Sequence, residues 1–213
     1  MRTVACSATW VVVDKPAGLP AVPGRAPGLQ DCAALRVQAQ WADALVVHRL
    51  DMATSGLMVF ARGAAAQRAL AAAFQRRAVD KRYVALVAGH VDARPGAEWA
   101  EIDLPLAADW PARPRQRVDH ALGRPSRTRW RVLDHAVEGG APFTRLELQP
   151  ITGRTHQLRV HLAAIGHSIL GDTLYATPEA LPRSERLMLH ACALAFADPL
   201  TGEALAFASP APF

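Results

Sequence analysis

His48-Arg49-Leu50-Asp51-Met52-Ala53-Thr54-Ser55-Gly56-Leu57 sets an imidazole, a guanidinium, a carboxylate and two hydroxyls between two apolar runs. The first run is Ala44-Leu45-Val46-Val47 and the second is Leu57-Met58-Val59-Phe60-Ala61. Short β-branched and aromatic runs of this length read as buried strands. A polar loop held at both ends by such strands presents its side chains from a fixed scaffold. A lone Asp in a loop is ordinarily a turn former. Asp51 is not alone: His48, Arg49, Thr54 and Ser55 surround it, and Gly56 permits a tight turn into the second strand. Asp51 is therefore the candidate nucleophile or base.

Outward from this loop, the chain mixes strands and helices without regular alternation. Trp10-Val11-Val12-Val13 reads as an early strand, followed by an irregular loop containing Pro16, Gly18, Pro20, Pro23 and Gly24. Asp31 is placed to cap a helix from Cys32 to Trp41, with Leu35 and Val37 among its apolar positions. Gly63 should end the strand after Asp51, and Ala64 to Ala78, with Leu70 and Phe74 four apart, reads as a helix. Tyr83 to Gly89 is a strand. Ser126 to Leu133 alternates, with Thr128, Trp130 and Val132 on one face and Arg127, Arg129 and Arg131 on the other. Glu138-Gly139-Gly140 turns into the alternating run Phe143–Leu148. Thr155 is the expected cap of a helix from His156 to Ile165, closed by Gly166, with Leu158, Leu162 and Ile165 buried. Leu187–Phe196 and Glu203–Phe207 read as two further strands. This mixture favours an α+β fold in a single domain spanning 1–213.

Composition narrows the class. An apolar fraction of 51% with 20% charged residues is that of a globular protein with a real core. The net charge of +5 favours polyanions, nucleic acid first. All basic residues except Lys15 and Lys81 are arginines and alanine is abundant, which a GC-rich gene would also produce, so the clustering of arginine matters more than its total. Cys6, Cys32 and Cys192 are scattered, with no C-x-x-C, and are expected to be reduced thiols in a cytoplasmic protein. Thr3–Val13 is interrupted by Ser7 and Thr9 and lacks a clean cleavage site, so a strand is the better reading than a signal peptide. No apolar run approaches the length of a membrane helix.

Three further features carry chemistry. In Gly153-Arg154-Thr155-His156-Gln157-Leu158-Arg159, helical spacing puts Arg159 beside the buried stripe, where a guanidinium needs an anionic partner. That partner is either a structural carboxylate such as Glu147 or, in the sharper reading, Asp51, kept ionised and oriented by the pair. Arg154 precedes the helix and is placed to meet a phosphate. His156 and His161 are five apart with no H-E-x-x-H, so no metal site is expected. Tyr83 is a packing residue or, beside Lys81 and Arg82, a stacking platform for a base. From Asp109 to Arg131 the chain holds Arg113, Arg115, Arg117 and Arg124 before the basic strand, with Trp110 and prolines expected to stiffen the loop. Arginine binds phosphate bidentately and stacks on bases, which makes this run the candidate nucleic-acid contact.

Together these residues resemble the RluA family of RNA pseudouridine synthases, and in particular its short members. His48–Leu57 matches the family's H-R-L-D-x-x-T-S-G-L signature in full, and Lys81–Ala85 its K-x-Y-x-A element. Gly153–Arg159 matches G-R-x-H-Q-[IL]-R. Lys15–Leu19, Gly166–Asp172 and Leu189-His190-Ala191 match its start and C-terminal elements in order. Asp14, Ser168 and Asp198 depart from residues common in the family, outside the proposed catalytic set. The resemblance implies the pseudouridine-synthase fold: a mixed, mostly antiparallel sheet flanked by helices, with a central catalytic cleft and no N-terminal S4 domain. It implies isomerisation of uridine in structured RNA, in 23S rRNA, tRNA stem-loops or both. Asp51 would be the essential carboxylate, Arg159 its salt-bridge partner, and Tyr83 the residue that stacks on the flipped base and takes part in proton removal. Arg49 would fill the gap left by the flipped nucleotide, and Leu189 would pack under the base. Bond exchange without redox change needs no cofactor. A monomer that binds RNA, and neither DNA nor membrane, is expected.

Two other functions compete with this one. A non-catalytic RNA-binding or ribosome-assembly factor on the same fold would not need Asp51, Tyr83 and Arg159 together. A hydrolase using Asp51 and a histidine would need a water-activating base or metal that no spacing supports.

Overall fold

The computed structural model describes residues 1–24 and 26–213. In chain order the strands and helices are β1 (Arg2–Cys6), β2 (Trp10–Lys15), α1 (Ala33–Gln38), β3 (Ala44–Val46), β4 (Ser55–Arg62), α2 (Gly63–Gln75), β5 (Asp80–Ala88), β6 (Ala100–Asp103), β7 (Leu106–Ala108), β8 (Gln116–Val118), β9 (Arg127–Glu138), β10 (Ala141–Pro150), α3 (Gln157–Ala164), β11 (Leu189–Ala197) and β12 (Ala204–Ala208). These residues form two compact units. One contains Met1–Lys81 and His190–Pro212, the other Arg82–Leu189 and Phe213.

In the first unit the strands run β1-β2-β4-β11, with β3 added to β4 and β12 to β11. The β4–β11 pair is parallel and the others are antiparallel, so the sheet is mixed. Val11, Val12 and Val13 are all fully buried, as are Met58, Val59 and Ala61, so β2 and β4 are covered on both faces. Their continuous apolar runs, rather than alternating ones, reflect that central position. On one face Trp10, Val12, Leu57, Val59, Leu194 and Phe196 pack with Leu70 of α2. The Trp10 ring meets Phe196 edge-on at 5.9 Å, and its indole N–H donates to Asp198 at 2.7 Å. Asp14, another departure from the family pattern, accepts from the Ser209 hydroxyl at 2.5 Å. Gly63 ends β4 as expected, at a φ of 77° that glycine adopts without strain.

In the second unit the order is β5-β10-β9-β6, all antiparallel, with β7 and β8 paired as a separate two-stranded arm. Glu138 faces Ala141 across a two-residue turn, Gly139-Gly140, and both glycines have positive φ, as a tight hairpin requires. Along β10, Thr144, Leu146 and Leu148 are fully buried while Phe143, Arg145 and Glu147 face the other way. Helix α3 packs on β8, β9 and β10.

Both expected helix caps differ from the structure. Asp31 does not cap α1; it holds the Arg36 guanidinium through two hydrogen bonds, and the Cys32 sulfur accepts the Leu35 N–H instead. Thr155 does not cap α3. His156 occupies the position with φ 53°, in the left-handed region, and its Nδ1 lies 2.7 Å from the Tyr175 hydroxyl. A capping preference is local, and a stronger long-range or ionic partner overrides it.

Candidate active site

In the first unit the Asp51 loop is pinned from several directions. Leu50 is buried and anchors the loop in the core, while Arg49 stays exposed and Asp51 half-buried. Lys15 is fully buried, and its ammonium donates to the carbonyls of Pro16 at 2.9 Å, Leu19 at 2.8 Å and Met52 at 3.2 Å. The Gly18 N–H also reaches the Met52 carbonyl, and the Thr54 N–H reaches that of Asp51. A buried ammonium is tolerated when such acceptors replace its water. Here it ties the Lys15–Leu19 turn to the peptide that follows Asp51. In sequence this turn stands out only as a family element, with no role for Lys15. A lysine at the end of an all-buried β-branched run was the available signal.

The other polar residues of the loop are supports. His48 stacks on Phe74 at 4.5 Å and accepts the Val59 N–H through Nε2. Burial, assisted by the charge of Lys81, pulls its pKa down to about 3, so it is a neutral acceptor at physiological pH. Thr54 and Ser55 are buried, and the Ser55 hydroxyl hydrogen-bonds His190 Nδ1 at 2.8 Å. Gly56 has φ 114° and lies opposite Ala191 in the parallel ladder, where a Cβ would collide with the Ala191 carbonyl. Glycine is thus required both by conformation and by the close approach of β11.

In the second unit Arg159 is 4% exposed, as its helical position implied. Its guanidinium forms a two-pronged pair with Asp172: Nε to Oδ2 at 2.8 Å and Nη2 to Oδ1 at 2.7 Å. Asp172 is itself buried and accepts the backbone N–H groups of Leu174 and Tyr175. Glu147, the structural partner considered from sequence, pairs with Arg131 instead. Asp172 escaped the sequence reading because its link to Arg159 runs through an irregular segment with no periodicity. Tyr175 completes this arrangement. Its ring lies 5.1 Å from the Arg159 guanidinium, and its hydroxyl accepts the Gln116 N–H at 2.8 Å. Burial raises the Tyr175 pKa, so the phenol stays neutral.

Helix α3 is seated by a buried neutral network. Thr152 donates to Gln157, whose amide donates to the Arg127 carbonyl and to Thr128. His161, fully buried, meets Thr128 through Nδ1 and the Leu104 carbonyl through Nε2. Burial lowers its pKa and keeps it neutral, outweighing the Leu104 carbonyl and the charge of Asp103, which act the other way. Among the described residues no cluster of three His, Cys, Asp or Glu could hold a metal ion.

The other candidates lie as follows. Tyr83 is half-buried in β5, opposite Leu148 of β10. Leu189 is buried at the start of β11. Arg154 is half-buried, with Nη2 3.5 Å from the Pro125 carbonyl. Arg113, Arg115 and Arg117 are exposed on the β7–β8 arm, a hairpin that the sequence read as a loop. Arg117 pairs with Asp119, Arg113 lies on the Trp110 ring and Arg115 on the Tyr175 ring. The basic face of β9 is real but partly neutralised, because Arg127 and Arg129 share Glu101 and Arg131 takes Glu147.

Comparison with known proteins places the chain in a family. The family model described as RNA pseudouridylate synthase matches residues 9–164. The chain is 46% identical over 203 residues to the dual-specificity RNA pseudouridine synthase RluA of Escherichia coli (strain K12), covering 95% of this chain and 90% of that protein. It is 50% identical over 190 residues to the protein of the same name from Vibrio vulnificus (strain CMCP6), covering 89% and 74%. Human RNA Pseudouridylate Synthase Domain Containing 1 superposes with a TM-score of 0.81 at 30% identity, over 100% of this chain and 84% of that one. Human RNA Pseudouridylate Synthase Domain Containing 4 gives 0.72 at 26%, over 99% and 88%.

Proposed function

The chain belongs to the RNA pseudouridylate synthase family, and from that premise we propose that Asp51, Tyr83 and Arg159 are its reacting set. The protein is an RluA-type isomerase that converts uridine in RNA to pseudouridine. In this reaction the N1–C1′ bond breaks, the uracil turns, a C5–C1′ bond forms, and the C5 proton is lost as N1 gains one. Atoms and redox state balance within the nucleotide. Asp51 acts at C1′, by attack on the sugar or by assisting elimination, and both routes require an ionised carboxylate. Arg159 favours that ionised form, with Asp172 holding the Nε–Nη2 edge of its guanidinium. Tyr83 stacks on the displaced base and takes part in removing its proton.

Flipping the uridine costs a few kcal/mol of lost stacking, and insertion of Arg49 offsets part of it. Leu189 packs beneath the base. Arg154, Arg113, Arg115 and Arg117 bind the RNA backbone. The substrates are uridines in ribosomal RNA and tRNA stem-loops; the name "dual-specificity" borne by the relatives supports more than one RNA. The two units work as one catalytic domain, in a cytoplasmic monomer that takes no DNA. The observation that carries the assignment of Asp51 is its loop, pinned at the very next residue by the buried ammonium of Lys15. Asp51→Asn should abolish pseudouridine formation while leaving RNA affinity nearly unchanged. Pseudouridine mapping of RNA treated with each protein tests this, and equal turnover by the two would refute the role of Asp51.

A further inference from the structure

We infer that Trp110, backed by Arg113, is a stacking site for an unpaired nucleobase of the RNA substrate, outside the reacting set. The inference rests on RNA being the substrate and on the arm being an RNA contact. Trp110 is 66% exposed, and among the described residues it is the one tryptophan so exposed. Tryptophan is enriched at interfaces, where its apolar ring meets a partner while its polar edge stays wet. The arm does not present it by fraying. Between β7 and β8 the Asp109 N–H bonds the Arg115 carbonyl, Ala112 N–H that of Asp109, and Arg115 N–H that of Ala112. Pro111 and Pro114 restrict the same turn. The stem of the arm is fastened by the Gln116 N–H to the Tyr175 hydroxyl and by Arg115 against the Tyr175 ring at 5.4 Å. A base held at Trp110 is therefore held on a framework tied, through Tyr175, to Arg159.

The electronic setting points the same way. Arg113 lies over the Trp110 ring with its guanidinium carbon 4.2 Å from the centroid. Trp99, in the same unit, has guanidinium groups from both Arg82 and Arg131 at 4.8 Å. Trp110 has one such partner among the described residues, which leaves most of its indole surface to solvent. A flat aromatic surface backed by a cation, with Arg115 and Arg117 nearby for phosphates, has the chemistry of single-strand recognition: bases stack on the ring and the backbone follows the charge. An apolar protein partner would be repelled by none of this, but it would gain nothing from Arg113 and Arg115 in so short a turn.

The test uses hairpin RNAs with an abasic site placed in turn at each loop position except the reactive uridine, and the full chain as wild type, Trp110→Ala and Trp110→Phe. Trp110→Ala should weaken binding to the intact hairpin by roughly five- to a hundredfold, with the loss falling on KM rather than kcat, and Trp110→Phe should recover part of it. One abasic position should cost wild type a similar factor and cost Trp110→Ala nothing more. Unchanged KM and affinity in Trp110→Ala, or an equal further loss at every abasic position, would overturn the inference. So would a change in oligomeric state on gel filtration caused by Trp110→Ala, which would make the ring a protein contact. If wild type binds the hairpins but forms no pseudouridine, the catalytic reading fails, and the abasic series in binding alone still decides the role of Trp110.

Discussion

Asp172→Asn isolates one buried charge. The substitution keeps the size of the side chain and removes the negative charge that faces Arg159 from two oxygens at 2.8 and 2.7 Å. The Asp172 carboxylate has four donors: two from Arg159 and the N–H groups of Leu174 and Tyr175. An amide offers one oxygen, so at least one guanidinium N–H is turned toward an NH₂ group. Both side chains are almost wholly buried, Arg159 at 4% and Asp172 at 1% exposure, and water cannot substitute without opening the site. Neutralising one member of a buried ion pair costs about 3–5 kcal/mol. In a chain of this size each kcal/mol moves the unfolding midpoint by about 2–4 °C, so Tm should fall by on the order of 6–20 °C. Thermal unfolding without RNA measures this. Pseudouridine formation well below the new midpoint should also show a lower kcat, since Arg159 is no longer held. The double variant Asp172→Asn with Arg159→Met also removes the guanidinium that Asp172 balances, and should regain part of the stability while remaining inactive. A Tm within about 2 °C of wild type for Asp172→Asn, or a double variant no more stable than the single, would refute the reasoning.

Lys15→Met keeps the length of the side chain but takes the ammonium donor from three carbonyls, of which that of Met52 keeps the Gly18 N–H. Each unsatisfied buried group costs about 1–3 kcal/mol, so a lowered Tm is expected together with a kcat loss larger than the KM change, measured on folded protein at low temperature. The pKa of His48 is pulled down to about 3 from an unfolded value of about 6.5. Between those values the unfolded chain binds a proton that the folded chain does not, so stability should fall as pH drops through that window. The slope should stay below the one-proton limit of about 1.4 kcal/mol per pH unit, because the residue keeps some surface; His48→Gln should flatten it in urea titrations at several pH values. Neutralising Arg113, Arg115 and Arg117 together should weaken RNA binding. The slope of log affinity against log salt should shrink by about 0.7–0.9 for each phosphate the arm no longer neutralises, read by titration at several salt concentrations.

The candidate loop was legible because its polar residues are adjacent in the chain. Apolar runs bounded by polar punctuation mark β3 and β4, and the density of polar groups between them marks Asp51, before any fold is known. Alternation likewise exposed the two faces of β9 and β10, and helical spacing put Arg159 beside a buried stripe. Capping rules failed where another partner offered more, whether an ion pair nearby or a hydroxyl far along the chain. Asp31 had Arg36 to pair with, and His156 turned to meet Tyr175, so neither expected cap formed.

Sequence alone thus determined the family, the α+β class and the residues to test, because motifs and periodicities are properties of neighbours along the chain. Tertiary structure alone decided which groups hold those residues in place. Lys15 beneath the Asp51 loop, Asp172 against Arg159 and Tyr175 beside the arm are partners brought together by folding. Electrostatic and hydrogen-bond energies depend on distance and burial in space, and neither is encoded in spacing along the chain. The stretch around Asp51 marks the carboxylate we propose as the reacting group; the Lys15 ammonium at the Met52 carbonyl is what holds its loop.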